Sequence, residues 1–335
     1  MSDRRLRVGL DLDGSLESMS NSMSDLSQAL AERDDLLLTC FRTESAVTSE
    51  RETRLRARVF WAPWWRHSRG RPIDDLLGRL DVIHVAGPST PPTRHTPLLI
   101  SVDDLRPLRE GGTKSRVRQL RRAVARGATL VVSSRAARHE AMEALGLERA
   151  EIVVVRPPVG RVERTVDGRA LVVSVTGNTH QFEGMSKDLA AFAQRHGAPF
   201  VVVASTAVIQ RLRATGVAAD FVERRRGAEA LSQARCVAHI SDGARFPSFA
   251  VAALGAGVPT VSLATAINRE LLGGAAALVP DEDDLVATLE ELWSNEARRA
   301  IMRAAGLARA EDFSPWNVAS AYANLYADVA MRSRV

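Results

Sequence analysis

The sequence predicts an α/β protein built from two doubly wound parallel sheets. Three observations carry this. Strand-like and helix-like runs alternate along nearly the whole chain. The strand-like runs are apolar throughout instead of alternating, as strands covered on both faces are. The pattern lapses at RVERTVDG, residues 161–168, and then restarts. The 335 residues also exceed what one hydrophobic core usually serves.

RVGLDL (7–12) is the first strand and runs straight into the turn DGS. ESMSNSMS (17–24) reads as a loop and DLSQALAERD (25–34) as a helix. DLLLTCF, LDVIHVAG (80–87) and PLLISVDD (97–104) are strands, with helical stretches such as PIDDLLGRL between them. GATLVVSS (127–134) and SRAARHEAMEALG pair a strand with a helix, and Ser134 stands where an N-cap belongs. EIVVVRPPV (151–159) closes the first series.

DGRALVVSVTGN opens the second series, followed by the helix SKDLAAFAQRHG and the strand PFVVVAS. EALSQARCVAHIS gives a helix and a strand. ARFPSFAVAALGAGVPTV (244–261) is a loop, a small-residue helix and a Gly-Val-Pro turn into a strand. VPTVSLA, NRELLG, AAALVP and DEDDLVATLEELWSN complete the alternation. In sheets of this kind ligands bind beyond the carboxyl ends of the strands, so the expected site is a cleft between the two domains.

Composition narrows the class. A quarter of the residues are charged, which suits a soluble surface, and no apolar run is long enough for a membrane span. The start, MSDRRLRVGLDLDG, has a basic flank but no apolar signal-peptide core, so the expected location is cytoplasmic. The net charge is +5, and Lys114 and Lys187 are the only lysines. The many arginines suit phosphate and anionic headgroups. Cys40 and Cys236 are expected to be two buried thiols. With dispersed histidines and no cysteine pair, neither a metal nor another cofactor is expected.

From ALGAGVPTVSLATAINRELLGGAAALVPDEDDLVATLEELWSN onward the chain resembles the C-terminal domain of glycosyltransferase family 4 and its retaining relatives with the GT-B fold. Gly257-Val258-Pro259, Glu270, the run from Gly274 to Pro280 and the tail GLARAEDFSPWNVASAYANLY carry the resemblance. RVGLDL, DVIHVAG, PLLISVDDL, ATLVVSSRAARHEAMEALG and EIVVVRPPV follow in family order. The resemblance implies two Rossmann-like domains facing across a cleft. These are an acceptor-side domain over 1–165, a nucleotide-sugar-side domain over 166–313, and a last helix (about 314–331) within 314–335 that crosses back to the first domain. It implies transfer of a sugar from a nucleotide-diphospho donor.

The family's contact residues are largely replaced. Its two donor-site acids correspond to Ala244 and Ala252, and nothing ionisable lies between Arg245 and Arg269. Its diphosphate-binding Arg and Lys correspond to Asn178 and Glu183, and its reaction-centre His to Asp103. Ser18 and Ser20 stand in place of loop glycines beside Asp13 and Gly14 on the acceptor side. Each charge-assisted bond to phosphate is worth roughly 1.5–3 kcal/mol, so these losses forfeit about 5–8 kcal/mol, or about four to six decades of affinity. Glu183 would repel a diphosphate. Gly177, His180, Arg245, Phe246, Ser248 and the helix start near Phe249 are what remains to hold a donor; Lys187 lies further along the helix.

Other features have both a bland and a functional reading. RVFWAPWWRHSRGRP (58–72) interleaves three tryptophans with arginines. It either packs on its own domain or meets a membrane, a partner or a sugar. SRVRQLRRAVAR (115–126) is a basic amphipathic helix, either a solvated face or a peripheral contact with anionic lipid. Asp11, Asp13, Asp103 and Asp104 are turn and capping residues or paired carboxylates. ERRRGAE (223–229) reads as a solvated loop in preference to an anion site. No motif supports nucleic-acid binding. The expected activity is that of a family 4 type glycosyltransferase with a degenerate donor site. The alternative is a catalytically inactive glycosyltransferase-like partner or regulator of an active enzyme.

Overall fold

A computed structural model describes residues 5–12, 17–42, 52–54, 65, 70–86, 90–102, 104–109, 114–163, 168–177 and 179–333, with backbone alone at 17–21 and 52–54. The chain divides into two compact units, Met1–Pro158 with Pro315–Val335, and Val159–Ser314.

Unit 1 contains strands β1 (Leu6–Asp11), β2 (Leu36–Arg42), β3 (Glu52–Arg54), β4 (Val82–Val85), β5 (Leu98–Ser101), β6 (Thr129–Val132) and β7 (Ile152–Val154). Its helices are α1 (Glu17–Ala31), α2 (Asp74–Leu77), α3 (Lys114–Val124) and α4 (Arg135–Leu145), joined by the last helix of the chain. The strands are all parallel, in the order β3-β2-β1-β4-β5-β6-β7. Ser134 caps α4 as expected, its hydroxyl accepting the Ala137 N–H at 2.9 Å.

α1 corrects one expectation. Residues 17–24 are helix, not loop, so Ser18 and Ser20 lie in its first turns. The stretch has no Gly or Pro to stop a helix. Met23, Leu26 and Leu30 fall at helical spacing, and all three are buried.

Unit 2 carries β8 (Ala170–Thr176), α5 (His180–Arg195), β9 (Phe200–Ala204), α6 (Thr206–Arg213), β10 (Asp220–Glu223) and α7 (Gly227–Ser232). After these come β11 (Ala234–Ser241), α8 (Ser248–Gly255), β12 (Thr260–Leu263), α9 (Ala266–Leu272), β13 (Ala277–Val279), α10 (Glu282–Ser294) and α11 (Glu296–Ala310). The sheet is parallel, in the order β10-β9-β8-β11-β12-β13. One core lies between it and α5 and α10, built on Val173, Phe182, Leu189, Ile240 and Leu289. A second lies on the other face under α8, with Val172, Val237, Phe249 and Ala253. β10, α6 and α11 were not legible as separate elements in the sequence. Cys236 is buried as expected, whereas Cys40 is half-buried.

The last helix, α12 (Pro315–Arg332), belongs to unit 1. Val318, Tyr322, Tyr326 and Val329 join Val8, Leu10 and Leu26 in one buried cluster. The Tyr326 hydroxyl lies 2.8 Å from His84 Nδ1, and Ser101 Oγ lies 2.8 Å from His84 Nε2. The Tyr322 ring stacks on the imidazole at 5.1 Å. Burial pushes His84 down to about 3, so it is neutral at physiological pH.

Candidate functional site

In unit 2 the strand order reverses between β8 and β11, which are neighbours although three strands apart in sequence. Such a switch point opens a crevice outside the carboxyl ends of the strands. β8 ends at Thr176 and turns through Gly177, whose φ is +87°. β11 ends at Ser241 and turns through Asp242, whose Oδ1 accepts the Ala244 N–H at 2.9 Å. A Cβ on Gly177 would overlap the Asp242 carboxylate. Gly243 also has a positive φ, +68°, and a Cβ there would come 2.7 Å from Thr265 Cβ. Thr265 is the N-cap of α9. The loops after β8, β11 and β12 therefore interlock through glycines, because no side chain fits between them.

A cation reaches this point from the end of β10. The Arg224 guanidinium donates to Val175 O at 3.0 Å and to Thr176 Oγ1 at 2.9 Å. The stretch read as a loop is the end of β10, a 3-10 turn and the start of α7, though its other arginines are solvated as expected. Arg225 pairs with Glu223 and Arg226 with Glu229, both exposed. Arg224 departs from the solvated reading, because the chain turning out of β10 carries it inward while its two neighbours face solvent.

Polar side chains line the sheet face beneath. Ser174, His239 and Ser262 occupy paired positions on β8, β11 and β12, all fully buried. Neither ring nitrogen of His239 has a hydrogen-bond partner among the described residues. Burial, with a smaller contribution from the Arg224 charge, lowers its pKa to about 3. Asn268 Nδ2 donates to Ser262 Oγ at 3.0 Å and to Leu263 O at 2.9 Å.

The residues singled out in the sequence scatter around this centre. Gly177 is at it. Ala244 is in contact with it through the Asp242 turn and is fully buried, while Ala252 lies half-buried in α8. Arg245 is half-buried. His180 begins α5, exposed and 3.6 Å from Glu183 in the same turn. Phe246 is buried, and its ring packs on Phe313 at 5.8 Å. Ser248 opens α8, its N–H bonded to Phe246 O at 2.9 Å. Glu270 sits in α9, where its carbonyl accepts from Arg309 at 2.5 Å. Asp13, Gly14, Asp103 and Asn178 lie outside the described residues.

Sequence reasoning missed Arg224, Asp242 and His239. Asp242 carried a signal, since Asp-Gly after a strand marks a turn whose carboxylate bonds a backbone N–H two residues on. Nothing distinguished Arg224 from Arg225 and Arg226. A cleft of about 450 Å³ opens beside Gln181 and Thr265, but Asp281, Glu282 and Asp283 line it and disfavour an anion. Among the described residues no group of His, Cys, Asp and Glu side chains is arranged to hold a metal.

Two peripheral features are described in part. Trp65 is fully buried in unit 1, its Nε1–H bonded to Arg71 O at 3.1 Å. Its neighbours at 58–64 and 66–69 lie outside the described residues. α3 buries Gln119, Leu120, Ala123 and Val124 in its own unit. Its Arg116 is tied to Thr90 and Gln119, and its Arg121 to Leu145 O. Arg118 and Arg122 are left exposed. No helix among the described residues is long and apolar enough to cross a membrane.

No protein-family model and no curated protein matches the chain. Solved structures do. HepE of Anabaena, crystallised with UDP and glucose, is 14% identical with a TM-score of 0.69, covering 97% of this chain and 100% of its own. Sucrose-phosphate synthase of Thermosynechococcus elongatus is 14% identical with a TM-score of 0.70, covering 97% and 99%. AviGT4, a glycosyltransferase of avilamycin A biosynthesis, is 16% identical with a TM-score of 0.63, covering 97% and 98%. With its two parallel sheets and their flanking helices, the chain has the GT-B fold of these glycosyltransferases, two Rossmann-like domains in one polypeptide.

Proposed function

We propose that the chain is a glycosyltransferase-like protein of the family 4 type with a reduced donor grip, whose small-molecule ligand is a nucleotide-diphospho sugar. One observation carries the reading. The switch point of unit 2 keeps the glycine turn and helix starts of a phosphate site, while Asp242, a carboxylate, fills the turn. A carboxylate there opposes a diphosphate. Arg224 is the compensating cation, but Val175 O and Thr176 Oγ1 already share it. The UDP found in the HepE crystals supports a uridine nucleotide as the first ligand to test.

Isothermal calorimetry with UDP and UDP-glucose tests this. The expected dissociation constant is about 1 mM, with slow UDP release from UDP-glucose. Micromolar binding would overturn the reduced grip, and neither binding nor UDP release would overturn the ligand.

The alanines favour a second reading, a catalytically inactive partner or regulator of an active glycosyltransferase. Ala244 is fully buried, so the position that carries the first family acid presents nothing to a ligand. Copurification with a transferase whose activity depends on this chain supports that role, and transferase activity from this chain alone removes it. Peripheral contact with anionic lipid would rest on charges such as Arg118 and Arg122, because the apolar stripe of α3 is buried. Sedimentation with vesicles should then weaken steeply with salt.

A further inference from the structure

Unit 1 holds a cavity of about 360 Å³ at the amino ends of β5 and β6, the opposite edge from the strand ends where ligands of parallel sheets usually sit. Pro91, Leu98, Ala128 and Val329 give it apolar walls. Arg94, His95, Arg126 and Arg332 also line it, and no Asp or Glu does. We infer that this cavity binds a small organic anion, one acidic group on an apolar body.

The wall formed by residues 90–97 is preorganised. The Asp74 carboxylate accepts the backbone N–H of Arg94 at 2.9 Å, His95 at 3.0 Å and Thr96 at 3.2 Å. Pro92 O accepts the Ile73 N–H at 2.9 Å. Thr90, 1% exposed, accepts from Arg116 at 3.1 Å. A wall fixed before binding loses little freedom when a ligand arrives. Arg94 pairs with Asp75 at 3.1 Å, and Arg126 and Arg332 line the cavity as well. Arg126 lies just past the end of α3 and Arg332 is the last residue of α12, positions where a cation offsets the carbonyl dipoles. That role needs no concave apolar surface between them. The cavity does, and its size falls within the usual range for small-molecule sites.

The test is a fluorescence titration of the full chain with 1-anilinonaphthalene-8-sulfonate, whose sulfonate and apolar rings match the inferred class. It is run with and without saturating UDP. Enhancement that saturates, ignores UDP and weakens about ten-fold or more in Arg126→Ala/Arg332→Ala supports the site. Both arginines are exposed, so the variant should fold, and its circular dichroism melt checks this. Arg122→Ala, also exposed on α3 but not lining the cavity, should bind the probe as the parent does. No enhancement, enhancement abolished by UDP, or equal loss in Arg122→Ala would overturn the inference. So would parental affinity in the double variant.

Discussion

The carboxylate of Asp242 occupies the space that a side chain on Gly177 would need. Gly177 is bound twice over to be glycine, by this overlap and by its φ of +87°. Gly177→Ala should therefore destabilise the protein by about 2 kcal/mol or more in urea unfolding. Adding Asp242→Ala should recover the steric part, about 1 kcal/mol of coupling, and leave the backbone part.

Arg224→Ala removes two hydrogen bonds from the end of β8. It should cost about 1–2 kcal/mol and abolish any residual thermal stabilisation by UDP. Arg225→Ala, whose side chain is exposed, should stay within about 0.5 kcal/mol in the same unfolding assay.

His84 and His239 are both held neutral by burial, their pKa values lowered to about 3 from an ordinary 6.5. Unfolding between those values takes up two protons. Their contribution to stability is complete above about pH 6.5 and is lost as pH falls toward 3, at about 2.7 kcal/mol per pH unit. Either His→Leu variant should halve that slope. At pH 7 they should differ. His84→Leu strips Tyr326 and Ser101 of their partner and should cost about 1–3 kcal/mol. His239→Leu removes ring nitrogens that have no partner among the described residues and should be near neutral. Chemical denaturation from pH 4 to 7 measures both.

Arg299 is 5% exposed and donates to Leu292 O at 2.6 Å and Trp293 O at 2.7 Å, carbonyls at the end of α10, while pairing with Glu296. Arg299→Met should cost about 1–2 kcal/mol, chiefly by leaving Leu292 O unmatched, since Trp293 O keeps a bond from Arg235 at 3.0 Å. Arg299→Lys should recover less than half of that, since an ammonium cannot span both acceptors in the guanidinium plane. Thermal melts of the two variants compare them.

The alternation of apolar strands and helices was enough to read two parallel sheets, because strands such as β8, buried along their whole length, leave an unbroken apolar run. Shorter or more polar elements escaped. β10 reads DFVE and has no such run. The serines of α1 resemble a loop until Met23, Leu26 and Leu30 are seen to share a face. The site was legible where backbone geometry shows in residue type, as at Gly177. It was not legible where long-range packing selects one side chain of several. The inward turn of Arg224 and the seating of Phe246 on Phe313 depend on strands and helices distant in sequence.

Helix α12 gives the first sheet its missing cover, yet it is joined to the chain after all of unit 2. During synthesis, residues 159–314 can close their core as soon as they emerge from the ribosome, being continuous in sequence. The strands of unit 1 must wait, with Val8 and Leu10 covered on that face by α1 alone, until residues 315–332 follow. Unit 1, begun before unit 2, is thus completed after it, and its exposed sheet is the part that chaperones would have to guard.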